Sequence, residues 1–101
     1  MEIKGSYGEH VSIRPECLCM PKFWVEPTAD EVRAALKMAN WSGEELSRRI
    51  GVDGRTVRRW TLGEKPINYA SWCVLCVQAG LGEIWMYAPL QAIINPLSQD
   101  K

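Results

Sequence analysis

Basic side chains are the clearest candidates for chemistry in this chain. Five of its arginines fall in one short stretch that holds a single acidic residue. Three of them, Arg55, Arg58 and Arg59, would share one face of a helix, with Val57 and Trp60 on the opposite face. Because arginine pairs with phosphate oxygens and with the O6 and N7 atoms of guanine, the pattern predicts a surface that binds nucleic acid.

Cysteines are the second candidate set: Cys17 and Cys19 form a CxC pair, and Cys73 and Cys76 form a CxxC pair. Four thiolates can make a structural zinc site, and a cysteine pair can also sense redox state. Cys73 and Cys76 lie in an apolar segment, however, where cysteines at this spacing ordinarily serve as small core residues. We expect four thiols, with neither a metal nor a cofactor.

The length and composition predict one folded domain, and the lack of catalytic motifs predicts that it is not an enzyme. The chain has 101 residues, 47% of them apolar and 24% charged, with a formal net charge of zero. Its single histidine, His10, accompanies no nucleophile pattern, paired carboxylates or phosphate-binding glycine loop. No apolar run approaches the roughly 20 residues of a membrane span, and no signal peptide is recognisable. We expect a cytoplasmic protein.

Two helices should precede the arginine face. Thr28 and Glu31 have capping-box spacing, which predicts a first helix that begins at Thr28 and ends near Asn40. Ser42 predicts the start of a second helix and Gly51 its end. Two acid-to-base pairs at i, i+4 would stabilise the second helix, Glu44–Arg48 and Glu45–Arg49.

Asp53 predicts the start of a third helix, which would run to about Leu62 and stop at Gly63. Residues 69–79 are apolar on nearly all sides, so they predict a fourth helix that is covered on several faces. Residues 1–27 should form an extended or β-like arm that packs on the domain, and residues 82–101 an apolar tail with short helical turns. The predicted fold is all-α, a bundle of four or five helices.

Residues 28–81 resemble the λ-repressor-like, or XRE-type, helix-turn-helix family of phage, plasmid and bacterial regulators. The resemblance rests on residues at fixed spacing, namely Ser42, Glu45, Leu46, Ser47, Ile50, Gly51, Val52, Asp53, Thr56, Val57, Trp60, Gly63 and Pro66. It implies that the helix at 54–62 enters the major groove of double-stranded DNA. The resemblance covers about half the chain, but the arrangement of a short arm and a short tail around one such domain also resembles small plasmid or phage repressors. We expect a sequence-specific transcriptional repressor.

Three positions depart from the family pattern. Gly43 replaces a glutamine that typically contacts a phosphate, Gly54 replaces a large polar residue, and Thr61 replaces a common glutamate. Fewer polar side chains are then available, so the arginines should carry most of the base recognition. Gly54 either lets the backbone approach the DNA closely or only loosens the start of the helix.

These considerations assign roles to particular residues. Base contacts are expected from Arg55, Arg59 and Gly54, with Arg58 on either a base or a phosphate. Phosphate contacts are expected from Ser42, Thr56, Lys65 and Asn68. One such module makes few base contacts, so we expect a homodimer on a palindromic operator. The tail would supply the dimer contact or else cap its own core, through Ile84, Trp85, Tyr87, Leu90, Ile93 and Ile94.

Two other interpretations remain open. In the first, the arginine face is only a solvated surface and binds no ligand. In the other, the chain is a protein-interaction module, an antitoxin-like or phage-encoded inhibitor that uses a helix-turn-helix scaffold to bind a protein partner. A repressor would bind DNA with an affinity that falls steeply with salt, whereas an inhibitor would bind its partner without DNA.

Overall fold

Residues 12–89 are described by the structure, a computed structural model, and they contain four α-helices. These are α1 (Ala29–Ala39), α2 (Gly43–Ile50), α3 (Gly54–Leu62) and α4 (Tyr69–Gln78), with 3-10 turns at Pro15–Cys17 and Ile84–Met86. Residues 12–89 contain no β-strand, and the predicted all-α bundle is confirmed. None of the helices in this range is long and apolar enough to cross a membrane.

Side-chain caps set the start of each helix where the sequence predicted it. The Glu31 N–H donates to Thr28 Oγ1 at 3.2 Å, and the Thr28 N–H donates to Glu31 Oε1 at 2.7 Å, which completes the capping box of α1. Ser42, Asp53 and Asn68 cap α2, α3 and α4 in the same way, each with a side-chain oxygen. Such caps satisfy N–H groups that have no intrahelical partner, and they matter most in helices this short.

Left-handed residues end the first three helices. Asn40 (φ 60°), Gly51 (φ 75°) and Gly63 (φ 78°) follow α1, α2 and α3. Glycine adopts this conformation without the steric cost of a Cβ atom, which is why it ends helices so often. The turn at Gly51 leads into α3, which packs directly on α2.

The core lies between all four helices, and α2 contributes the fully buried Leu46. Trp72 is the largest of its fully buried side chains. α3 packs against α1 and α2, and α4 packs against α1 and the Ile84–Met86 turn. Val57 and Trp60 are 1% and 4% exposed, so the core anchors α3 along one side and leaves the other side free.

The arm joins the core through a 3-10 turn. Residues 12–28 contain no strand, although an extended or β-like arm was expected. Side chains of α4 bind its carbonyl groups: the Trp72 indole N–H donates to the Cys17 carbonyl at 2.6 Å, and the Tyr69 hydroxyl donates to the Cys19 carbonyl at 2.9 Å. These bonds occupy carbonyls that a strand would use for pairing, and they hold the arm on α4.

The tail begins with the Ile84–Met86 turn, the kind of short helical turn that was predicted for it. The Met20 N–H donates to the Tyr87 carbonyl at 2.8 Å, so the tail also contacts the arm. His10 and three of the expected dimer contacts lie outside the described residues; the three are Leu90, Ile93 and Ile94.

Candidate nucleic-acid interface

Helices α2 and α3, with the tight turn between them, are compatible with the predicted helix-turn-helix. The N–H groups of Gly51 and Val52 both donate to the Ser47 carbonyl, at 2.9 and 3.0 Å. Val57 and Trp60 bury the opposite side of α3 in the core. The turn and the core together fix the direction in which α3 presents its exposed side.

The exposed side of α3 carries Arg55, Arg58 and Arg59. Within residues 12–89 their guanidinium groups form no ion pair and no hydrogen bond. The predicted division of α3 into an arginine face and an apolar face is therefore present. A guanidinium without a protein acceptor keeps its donors for a ligand.

The other two arginines of the stretch are paired within α2. Arg49 Nε lies 2.6 Å from Glu45 Oε2, and Arg48 bonds to Glu45 Oε1. Hydrogen bonds from these two side chains lower the pKa of Glu45. The predicted Glu45–Arg49 pair is confirmed, but the predicted Glu44–Arg48 pair is wrong, because Arg48 bonds to Glu45 instead. The unpaired positive charge of the stretch is thus confined to α3.

The four residues expected to contact phosphates differ in their local bonding. Ser42 Oγ accepts an α2 backbone N–H at 3.0 Å, and Asn68 Oδ1 accepts an α4 backbone N–H at 2.8 Å. The Ser42 hydroxyl and the Asn68 amide still have donors to offer. Lys65 is exposed and Thr56 is half-buried. Capping therefore leaves each of the two capping side chains able to donate to a phosphate oxygen.

A groove of about 680 Å³ opens between the starts of α2 and α3. It is lined by Gly43, Glu44, Asp53, Gly54, Arg55, Val57, Arg58 and Thr61. A Cβ atom at Gly43 would lie 3.3 Å from Cγ1 of Val57, which is tighter than an ordinary contact. A side chain at Gly43 would therefore press on Val57, a residue that anchors α3.

Gly54 lies in open space at the first position of α3. A Cβ atom there would have no neighbour within 4 Å, and the backbone φ is not positive. Gly54→Ala is expected to stabilise the fold by up to about 1 kcal/mol, measured by urea unfolding. We also expect it to weaken DNA binding, because the added methyl group would keep the backbone from the bases. Unchanged DNA binding would mean that the glycine only loosens the helix start.

Arg33 is a positioning residue that the sequence did not disclose. It lies on α1, pairs with Asp30, and donates to the carbonyl of Thr61 in the last turn of α3. Carbonyls of a last helical turn have no intrahelical donor, so Arg33 supplies one and ties α1 to α3. The i, i+3 spacing of Asp30 and Arg33 was the only signal in the sequence, and it does not reveal the contact with α3.

The four cysteines are buried free thiols: Cys17, Cys19, Cys73 and Cys76. Burial raises the pKa of every one of them, to about 12 for Cys17 and Cys76. They are therefore protonated at neutral pH, unlike reactive or metal-binding thiolates. Among the described residues, no group of three or more candidate ligands is placed to hold a metal ion.

Two curated relatives match most of the chain. One is "Transcriptional repressor protein KorC" of Escherichia coli, 45% identical over 78 residues, which cover 74% of this chain and 92% of the relative. A second Escherichia coli protein of the same name is 42% identical over 77 residues, which cover 73% of this chain and 91% of that protein. No protein-family model matches the chain. No solved structure matches it.

Proposed function

The chain belongs to the family of the transcriptional repressor KorC, and on this premise we propose that it is a repressor that binds DNA sequence-specifically through α3. In this proposal α2 and α3 act as a λ-repressor-like, XRE-type helix-turn-helix of plasmid or phage origin, and α3 enters the major groove. The names of the relatives support repression, and the arginine face of α3 supports the mode of binding.

The unpaired arginine face is the observation that carries the proposal. The exposed arginines Arg48 and Arg49 on the neighbouring helix α2 both form ion pairs with Glu45. The three arginines of α3 have no such acidic partner among residues 12–89. One side of α3 is buried and the other carries three cations that are unpaired within this range. Such a helix can bind DNA, which offers phosphate charges and base acceptors at a regular spacing.

Base and phosphate contacts divide along the interface. Arg55 and Arg59 read guanine edges, Arg58 reads a base or holds a phosphate, and Gly54 allows the backbone to approach. Ser42, Thr56, Lys65 and Asn68 hold phosphates and set the register of α3. Since arginine selects guanine, each half-site contains G.

A homodimer would place two such helices on a palindromic operator, with half-sites about one helical turn apart. Of the expected dimer contacts, Trp85 and Tyr87 are 42% and 46% exposed. Ile84 is no longer a candidate for the dimer contact, because it is fully buried in the core of its own chain. Trp85 and Tyr87 therefore remain candidates among the described residues.

Selection of bound sequences from a random DNA pool tests the proposed function. We expect a palindromic motif with G in each half-site, bound with an affinity that falls steeply as salt rises. A non-palindromic motif would contradict the dimer but not the repressor. No enrichment at all would reject DNA recognition and favour a protein-interaction module.

Lys65→Ala is expected to weaken binding to all DNA sequences by a similar factor. A lysine on a phosphate carries no sequence information, and its loss should reduce the slope of log K against log salt by about 1. Titration of the selected operator and of an unrelated duplex at several salt concentrations measures both effects. Lys22→Ala, an exposed arm lysine outside the proposed interface, is the matched control. A loss confined to the operator would assign Lys65 to base recognition instead.

A further inference from the structure

Two acids lie in the first turn of α2, and of these Glu45 pairs with Arg48 and Arg49, which leaves Glu44 without a role so far. It is exposed and lines the same groove as Arg55 and Arg58. Its expected partner Arg48 bonds to Glu45 instead. The Glu44 carboxylate forms no ion pair or side-chain hydrogen bond with other residues of the 12–89 range. An unpaired carboxylate on a DNA-binding surface repels phosphates unless it meets a donor.

The major groove of a G·C pair offers that donor. Guanine presents the O6 and N7 acceptors, and cytosine presents its N4 amino group beside them. The groove between α2 and α3 is lined by both kinds of group, the guanidinium donors of Arg55 and Arg58 and the carboxylate acceptor of Glu44. The cytosine amino group has an acceptor on one side only, so a carboxylate can approach it from the side of the cytosine C5–H. The adenine amino group lies between two acceptors, its own N7 and the thymine O4, and both would repel a carboxylate.

We propose that Glu44 is a specificity-determining residue that accepts a hydrogen bond from the N4 amino group of a cytosine. The guanines of the same half-site are read by Arg55 and Arg59, and Arg55 lines the groove beside Glu44. This inference rests on the proposed function, because it requires α3 to lie in the major groove. It adds a base preference that the arginines alone do not create.

Parallel selections from one random DNA pool test the inference, with wild type, Glu44→Ala, Glu44→Gln and Glu83→Ala. Glu44→Ala should lose a cytosine preference of about tenfold at one position of each half-site. It should keep the preference for guanine at the positions that the arginines read. Glu44→Gln should accept adenine at that position, since an amide can both donate and accept there. Glu83 is an exposed acid outside the groove, so Glu83→Ala makes the same charge change and should keep the wild-type motif.

The motifs decide the inference, because loss of one negative charge can raise affinity for all DNA. A Glu44→Ala motif identical to wild type would overturn it and leave the proposed function standing. The absence of any wild-type motif would overturn both. Should Glu44→Ala fail to fold by circular dichroism, Glu44→Gln decides, and an unchanged demand for cytosine would overturn the inference.

Discussion

Arg55→Ala is expected to weaken binding to the selected operator by about 10- to 100-fold, which corresponds to about 1.4–2.8 kcal/mol. The loss should be confined to DNA that carries guanine at one position of each half-site. Arg59→Ala should act in the same way at a different position. Binding to the operator and to its single-base-pair variants, measured at one salt concentration, shows both effects.

We expect a large effect because, among residues 12–89, the Arg55 side chain has no protein partner to lose. Within the part of the chain that the structure describes, the Arg55 guanidinium gives up no protein contact when it binds DNA. Its replacement should therefore leave the free energy of unfolding nearly unchanged, since surface substitutions usually lie within about 0.5 kcal/mol. A fall in affinity without a fall in stability separates recognition from folding.

Arg48→Ala is the matched control, because it removes the same charge from the neighbouring helix. Arg48 is already bonded to Glu45, so its loss should reduce affinity only slightly and equally for all sequences. Unchanged operator binding by Arg55→Ala would remove Arg55 from base recognition. Equal losses in Arg55→Ala and Arg48→Ala would reduce the arginine face to a nonspecific electrostatic surface.

Local rules predicted the helices and the face of α3. The capping residues, the glycines that end helices and the helical period all act over three or four residues, so the sequence displays them directly. Thr28, Ser42 and Asp53 cap the helices that they were expected to cap. Likewise Val57 and Trp60 are buried opposite the exposed arginines.

Contacts between distant segments were beyond such rules. Arg33 reaches Thr61 on another helix. The Gly43–Val57 contact depends on how closely α2 and α3 pack. These are properties of tertiary packing, which a periodic pattern does not encode. The Glu44 carboxylate became a candidate for base recognition only because the predicted pair was wrong.

The arm supplies another interaction between distant segments, the pair of Arg14 with Glu31. Glu31 is 3% exposed, and the sequence marked it only as a capping-box residue. In the structure Arg14 Nε lies 2.8 Å from Glu31 Oε2, and the second Arg14 donor lies 2.9 Å from Oε1. The Arg14 and Thr28 N–H groups also donate to this carboxylate, at 2.9 and 2.7 Å. One buried carboxylate therefore both caps α1 and fastens the arm.

Glu31→Gln is expected to destabilise the fold by about 2–3 kcal/mol at pH 7 and to lower Tm by about 10–20 °C. Glutamine has the shape of glutamate, but its amide group places donors against the donors of Arg14. The partial exposure of Arg14, whose side chain is 43% exposed, keeps the cost below that of a fully buried pair. Thermal and urea unfolding measure the change. Glu26→Gln makes the same chemical change on an exposed side chain of the arm, and it should stay within about 0.5 kcal/mol of wild type.

The pH dependence of that difference tests whether the charge of Glu31 is the cause. Burial alone would raise the pKa of Glu31, but hydrogen bonds from Arg14 and Thr28 outweigh burial and hold the pKa at about 2, against 4.5 for the free group. A carboxylate with a lowered pKa stabilises the fold fully above its unfolded-state pKa, and this stability is lost as the pH falls through the folded-state pKa. The stability advantage of wild type over Glu31→Gln should therefore be complete above about pH 5 and shrink as the pH falls from 4.5 towards 2. An advantage that did not change over this range would show that shape, and not charge, makes Glu31 necessary.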